Sequence, residues 1–136
     1  MIKKAQDLSA VGKKFSMILY AEPGLGKSTL ALSAANPIHC DFDRGALRVR
    51  AEHRKTTVDV ADYNEFLVDF GAPEFRQADT VIIDTAGSMV AMMYAKFDAE
   101  LNTKDKRKVY GAIKQEFSRL TGQIRDAMNK KEQNNE

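Results

Sequence analysis

Several residue types are scarce in this sequence, and each scarcity narrows what the protein can be. Cys40 is the single cysteine among 136 residues, tryptophan is absent and there are three prolines. One cysteine excludes an internal disulfide and a cysteine-built zinc site, and it is typical of a reducing compartment, so we expect Cys40 to be a small buried hydrophobic residue. No run approaches the roughly 18 apolar residues of a membrane-spanning helix, and residues 1–10 lack the apolar core of a secretory signal. We therefore expect one cytoplasmic domain that makes no contact with a membrane.

Charge is unevenly distributed, although the formal net charge is only +2. Residues 1–14 carry four lysines against one aspartate, residues 15–100 carry eight basic against thirteen acidic side chains, and residues 101–136 carry nine basic against five acidic. The basic ends could bind a polyanion, or they could be solvated surfaces. Neither excess is large, so the solvated surface is the simpler interpretation.

Strand-like and helix-like patterns alternate along the chain. Apolar and β-branched runs predict strands at 15–21, 38–42, 56–60 and 79–84, the third near a sheet edge. Helices are predicted over 28–35 and from a capping Asp62 to Gly71, and a long amphipathic helix is predicted over 108–130. Residues 129–136 form a wholly polar tail. This alternation is typical of an α/β domain with a mainly parallel sheet.

A phosphate-binding loop is predicted between the first strand and the first helix. Residues 21–28 read AEPGLGKS, and a glycine-rich loop in this context cradles phosphates with its backbone N–H groups. Gly24 and Gly26 would let the backbone turn, Lys27 would place an ammonium on the β- and γ-phosphates, and Ser28 would give its hydroxyl to Mg²⁺. Ala21 stands where the usual pattern has glycine, which the loop tolerates only if that position avoids positive φ.

A second motif lies at the end of the strand predicted over 79–84. Asp84 closes an apolar run, as a Walker B aspartate does when it holds the water shell of Mg²⁺. Ligands of open α/β sheets bind at the carboxyl ends of strands, so Ser28 and Asp84 are predicted to meet there as metal-binding residues. The alternative role of Asp84 is to cap the helix that follows.

Hydrolysis also needs a group that activates water. Asp41 and Asp43 follow the second predicted strand and are the nearest candidates. We favour Asp43, with a purely structural turn beside Gly45 as the alternative. His39 and His53 have no partner at metal-ligand spacing, and the basic residues between Arg48 and Lys55 are more simply a solvated face.

Together these motifs resemble the RecA-related P-loop ATPases encoded by phages, AAA-family nucleotide-binding proteins of the recombination and single-strand-annealing type. The resemblance runs from Met17 to about Met128 and is carried by residues 18–28, by DFDRGA at 41–46, by VIIDT at 81–85 and by YGAIK at 110–114. It implies a RecA-like P-loop fold, ATP with Mg²⁺ as cofactors, single-stranded DNA as a partner and self-assembly into a homo-oligomer. In a phage protein the compartment would be the host cytoplasm.

The resemblance also assigns the site residues. The predicted catalytic residues are Lys27, Asp43 and Asp84, and the predicted metal-binding residues are Ser28 and Asp84. The residues expected to bind the nucleotide form one continuous stretch, namely Glu22, Pro23, Gly24, Leu25, Gly26, Lys27, Ser28 and Thr29.

One element of this group of ATPases is missing from the sequence. Its members have a further buried strand after the long helix, between the P-loop strand and the Walker B strand, and residues 129–136 contain no apolar run. We therefore expect a P-loop domain over residues 1–128 that is incomplete at its C-terminus or rearranged, with weakened turnover. The alternatives to an ATPase are a small-molecule kinase, with residues 48–55 as its lid, and a non-catalytic nucleotide-binding assembly module.

Overall fold

A three-stranded parallel sheet is the centre of the fold in this computed structural model, which describes residues 16–133 and side chains through residue 130. Strands β1 (Pro37–Asp41), β2 (Thr57–Asp59) and β3 (Thr80–Asp84) lie in the order β2-β1-β3. Every residue of β1 is buried because this strand lies between the other two. The register pairs Asp41 with Asp84, so the carboxyl ends of β1 and β3 lie side by side. The α/β prediction with a parallel sheet is confirmed.

Five α-helices connect or cover the strands in the described part of the chain. The Asp62 carboxylate caps its helix as predicted, accepting hydrogen bonds from the N–H groups of Asn64 and Glu65, and the long amphipathic helix continues to Gln133. The helices are α1 (Lys27–Ala31), α2 (Tyr63–Asp69), α3 (Pro73–Gln77), α4 (Ala86–Leu101) and α5 (Lys106–Gln133). The division into a domain over 1–128 and a tail stays a prediction. The basic segment 1–14 and residues 134–136 lie outside the described residues.

The two faces of the sheet are covered differently. Alternate side chains of a strand point to opposite faces, and Ile38, Cys40 and Val81 pack with α2, α4 and α5 in the main hydrophobic core. The opposite face carries Ile82, which clusters with residues of and beside α1. Cys40 is fully buried as predicted, and burial raises the pKa of its thiol to about 12.

The predicted first strand is not formed. Residues 16–21 belong to no strand, and the side chains of Ile18 and Tyr20 are 94% and 96% exposed. The prediction was wrong because a parallel strand needs a neighbour for its N–H and C=O groups, and no described strand pairs with this run; Phe15 lies outside the described residues. The helix predicted over 28–35 is also shorter and ends at Ala31.

Among the described residues, no helix combines the length and the apolar character that crossing a membrane requires.

Candidate functional site

The glycine-rich loop leads directly into α1. Gly24 and Gly26 have φ angles of +84° and +81°, a region that residues with a Cβ rarely adopt. Apart from the chain neighbours, no atom of the described residues lies within 4 Å of a Cβ added at either position, so glycine is needed for its backbone freedom and not for space. Ala21 is not among the described residues with positive φ, so alanine at the first position of the pattern brings no strain.

Lys27 bridges the loop from the first position of α1. Its ammonium donates hydrogen bonds to the carbonyl oxygens of Ala21 at 2.6 Å and Glu22 at 2.9 Å. Leu25 closes the turn with a long contact of 3.4 Å from its N–H to the Glu22 carbonyl. The N–H groups of the first helical turn have no acceptor within the helix, so a phosphate could accept from them.

The remaining predicted nucleotide contacts lie on the surface. The side chains of Glu22, Pro23, Leu25 and Thr29 are exposed, and Leu25 is 70% exposed. None of these four side chains contacts the carboxylates at the ends of β1 and β3 through a hydrogen bond or an ion pair. Any role of these residues is therefore through the backbone of the loop or through contact with the nucleotide itself.

A short hydrogen bond joins the loop to the sheet. The hydroxyl Oγ of Ser28 donates to Oδ2 of Asp84 at 2.6 Å, across 56 positions of sequence. A hydroxyl that gives its hydrogen to a carboxylate keeps its oxygen lone pairs for another partner. The two residues predicted to bind metal are thus brought together.

The alternative role of Asp84 as a helix cap is taken by its neighbour. Thr85 is the N-cap of α4, and its side-chain oxygen accepts a hydrogen bond from the N–H of Ser88. The Asp84 carboxylate is consequently directed to Ser28 and not to the helix. The close ring of His39, then the Ser28 hydroxyl and the Lys27 charge, lower the pKa of Asp84 against the opposing effect of burial.

The two aspartates at the carboxyl end of β1, Asp41 and Asp43, have separate environments. Asp41 is 2% exposed and accepts hydrogen bonds from the N–H groups of Gly45 and Ala46 at 2.8 and 2.7 Å, so it holds the turn. Asp43 is half-buried, and its Oδ1 has no hydrogen-bond partner among the described residues. Gly45 makes room for it, since an added Cβ would lie 2.6 Å from that oxygen.

Electrostatics distinguish Asp43 further. Burial, then the Asp41 and Asp84 carboxylates, raise its pKa, while Arg48 opposes the rise. The Nη1 atom of Arg48 lies 3.8 Å from Oδ2 of Asp43. Arg54, in the same basic segment, donates to the carbonyls of Val49 and Leu47. At least this arginine therefore stabilises its own loop.

His39 is the residue of the site that sequence reasoning missed. It is 1% exposed, and its Nε2 lies 3.4 Å from Oδ2 of Asp84. A signal for it existed in the register, because positions two residues before Asp41 and Asp84 on paired strands share their face of the sheet. Spacing rules for metal ligands could not reveal it, because the contact is made across strands.

The residues present fit Mg²⁺ held jointly with a nucleotide. No cluster of three or more His, Cys, Asp and Glu residues in the described chain could hold a metal by itself. Mg²⁺ is commonly bound by one or two protein oxygens with waters and phosphate oxygens as the other ligands. Ser28 Oγ, with free lone pairs, and the ionised Asp84 supply such a pair.

Comparison with known proteins identifies the family of the chain. A family model described as "AAA domain" matches residues 13–130, which is most of the chain. No curated protein and no solved structure gives a significant match.

Proposed function

The chain belongs to the AAA domain family, and from this we propose that it binds ATP with Mg²⁺ and hydrolyses the β–γ phosphoanhydride bond. The observation that carries the proposal is the 2.6 Å hydrogen bond between Ser28 and Asp84. It joins the two motifs whose cooperation defines a Mg²⁺-nucleotide site in P-loop proteins. Neither motif has this meaning alone.

Binding would begin with an exchange of partners at Lys27. The ammonium gives up the carbonyls of Ala21 and Glu22 and donates instead to phosphate oxygens, which carry a full negative charge. Hydrogen bonds between charged groups are stronger than those to a neutral carbonyl. The positive-φ glycines shape the loop, and the amides after Gly26 face no competing acceptor in the helix.

Ser28 and Asp84 would hold the metal, which when bound neutralises the charge that develops on the phosphate oxygens. Asp84 is suited to this role because its lowered pKa keeps it ionised. Asp43 would orient the attacking water and accept its proton. Its raised pKa and its unpartnered Oδ1 support that assignment, because a general base works best when its pKa lies closer to the working pH.

The proposed partner is single-stranded DNA, in phage recombination or annealing within the host cytoplasm. Support comes from the corner between α4 and α5, where the rings of Tyr94 and Tyr110 lie 5.5 Å apart and Tyr110 is 61% exposed. Lys104, Lys108 and Lys114 lie within six residues of Tyr110 in the chain, and none of them makes an ion pair with a described residue. Exposed aromatic rings among lysines are the usual platform for stacked bases and phosphates.

We further propose that copies of the chain assemble with one another. Large apolar side chains are exposed along one stretch around the loop, with Met17 at 66%, Leu25 at 70% and Leu30 at 62% exposure. Exposed large apolar side chains are candidates for burial against another protein. Light scattering with and without ATP and Mg²⁺ would report the assembly.

The activity is tested by measuring ATP binding by calorimetry and phosphate release, each with and without single-stranded DNA. Lys27→Ala should reduce affinity about 10- to 100-fold, the equivalent of roughly 1.5–3 kcal/mol for a hydrogen bond to a charged group. DNA-stimulated turnover supports the proposal, turnover that requires a metabolite indicates a kinase, and tight binding without turnover indicates an assembly module. No binding of ATP with Mg²⁺ to the folded protein contradicts all three.

The DNA surface is tested separately by anisotropy with a labelled single strand. Tyr110→Ala should weaken binding, since stacking on one ring contributes about 1–3 kcal/mol per base, whereas Tyr110→Phe keeps the ring and should bind normally. Lys114→Gln should reduce the dependence of affinity on salt. Equal affinity of the alanine and phenylalanine variants would contradict this location.

A further inference from the structure

His39 occupies a position that favours an apolar side chain. It lies in the middle of β1, the central strand of the sheet, and is 1% exposed. Its Nε2 has no hydrogen-bond partner among the described residues. A buried polar atom without a partner is unfavourable, so packing gives no reason for histidine at this position.

The environment of that atom is specific. The register pairs His39 with Ile82, two residues before Asp84 on the same face of β3. Nε2 consequently lies 3.4 Å from Oδ2 of Asp84, longer than most hydrogen bonds from a ring nitrogen and without their alignment. A small shift of the His39 ring or of the Asp84 carboxylate would therefore form a hydrogen bond from Nε2 to Oδ2.

Two protein groups therefore approach one oxygen of Asp84. The Ser28 hydroxyl donates to Oδ2 at 2.6 Å, and His39 Nε2 faces the same Oδ2. Donation to Oδ2 from two directions would fix the plane of the carboxylate. Oδ1 would then be left for a metal ion or for a water molecule of its shell.

We propose that His39 is a positioning residue, whose Nε2–H closes onto Oδ2 of Asp84 when nucleotide and Mg²⁺ bind and so holds this carboxylate in its metal-binding orientation. The inference rests on the proposed function of the same site. Contacts that are long in a free protein commonly tighten in the complex. Outer hydrogen bonds to metal ligands change metal affinity by about 10- to 100-fold when they are lost.

The test measures how much Mg²⁺ improves nucleotide affinity. The affinity of a fluorescent ADP analogue is determined with Mg²⁺ and with EDTA for the wild type, His39→Phe and His39→Gln. His39→Phe keeps an aromatic ring without a donor, and it should reduce the Mg²⁺ effect about tenfold while leaving the affinity in EDTA within about twofold. His39→Gln keeps an N–H donor near the position of Nε2 and should restore most of the effect.

Cys40→Ala is the matched control, because Cys40 is equally buried on the same strand but faces the opposite side of the sheet. It should lose stability without losing the Mg²⁺ effect. An undiminished Mg²⁺ effect in folded His39→Phe, or an equal loss in both His39 variants, overturns the inference alone. If the wild type itself shows no Mg²⁺ effect, the proposed function and the inference both fail.

A measurement on the wild type decides the matter even if His39→Phe does not fold. The chain has two histidines, and the ¹⁵N signals of their rings can be followed during titration. The Nε2 signal of His39 should shift on addition of ADP with Mg²⁺ but not of ADP with EDTA, while the signal of the exposed His53 stays unchanged. Identical His39 signals in the two titrations would overturn the proposal.

Discussion

The two faces of the sheet differ in how completely their groups are satisfied. Towards α2, aromatic rings pack closely, with the centroid of Phe66 4.9 Å from that of Phe42 and 6.2 Å from that of Phe75. Two buried side-chain polar atoms have no hydrogen-bond partner in the described chain, namely His39 Nε2 and Asp43 Oδ1. Both lie near the carboxyl ends of β1 and β3. The packed aromatic rings and the atoms with unmet hydrogen-bonding capacity therefore lie in separate regions of one thin sheet.

Removing an aromatic ring from the first region should have the largest effect. Phe66→Ala should lower the free energy of unfolding by about 3–5 kcal/mol, because the ring is fully buried and leaves a cavity. Urea denaturation followed by circular dichroism measures the change. Val68→Ala, on the exposed side of the same helix, should change stability by less than about 0.5 kcal/mol; comparable losses would remove the distinction between the regions.

Asp41 tests whether the polar end of the sheet contains any stabilising group. Asp41→Asn should cost about 1–3 kcal/mol, since the amide offers one oxygen where the carboxylate accepts from Gly45 and Ala46 with two. The exposed Asp59 of β2 provides the matched control, Asp59→Asn. A loss of stability no greater than that of the control would mean that the turn after β1 does not depend on the two hydrogen bonds accepted by Asp41.

Cys40 should make the stability of the main hydrophobic core depend on pH. Its thiol has a pKa near 12 in the folded state against 9.0 for the unperturbed group, so between these values the unfolded chain binds fewer protons and stability falls as pH rises. From pH 8 to pH 10 the wild type should lose about 1.4 kcal/mol more than Cys40→Ala. Parallel pH profiles for the two proteins would show that the thiol is not buried.

Asp43 should show the opposite behaviour to Asp41, with the smallest effect on stability. Its pKa is raised in the folded state, so at neutral pH the ionised carboxylate opposes folding and Asp43→Asn should be as stable as the wild type or slightly more stable. The same change should abolish ATP turnover while preserving binding. Thermal melting and phosphate release measure the two effects, and a marked loss of stability would assign Asp43 to the turn.

Local patterns predicted the elements that depend on local chemistry. Asp62 caps α2, β3 ends at Asp84 and the long helix follows its apolar spacing, because caps, turns and periodicity are written in neighbouring residues. Ser28 and Asp84 were expected to meet at the shared carboxyl edge of two parallel strands. They do meet, through the hydrogen bond from Ser28 to Asp84, although the strand before the glycine loop is not formed.

Elements that depend on distant partners were not predictable in the same way. The run before the glycine loop has the composition of a buried strand, yet Ile18 and Tyr20 are exposed because composition does not supply a neighbour. His39 was passed over for a related reason. Its significance comes from a contact across strands with Asp84, which only the register determines.

The most direct test of the central claim is a double-mutant cycle on Ser28 and Asp84, with the affinity for ATP measured by calorimetry in Mg²⁺ and in EDTA. Ser28→Ala and Asp84→Asn should each weaken binding only in Mg²⁺, and the double variant should be little worse than the worse single variant, a coupling of about 0.5–3 kcal/mol. Independent, additive losses, or single variants that bind as tightly as the wild type in Mg²⁺, would contradict a shared Mg²⁺ site at Ser28 and Asp84.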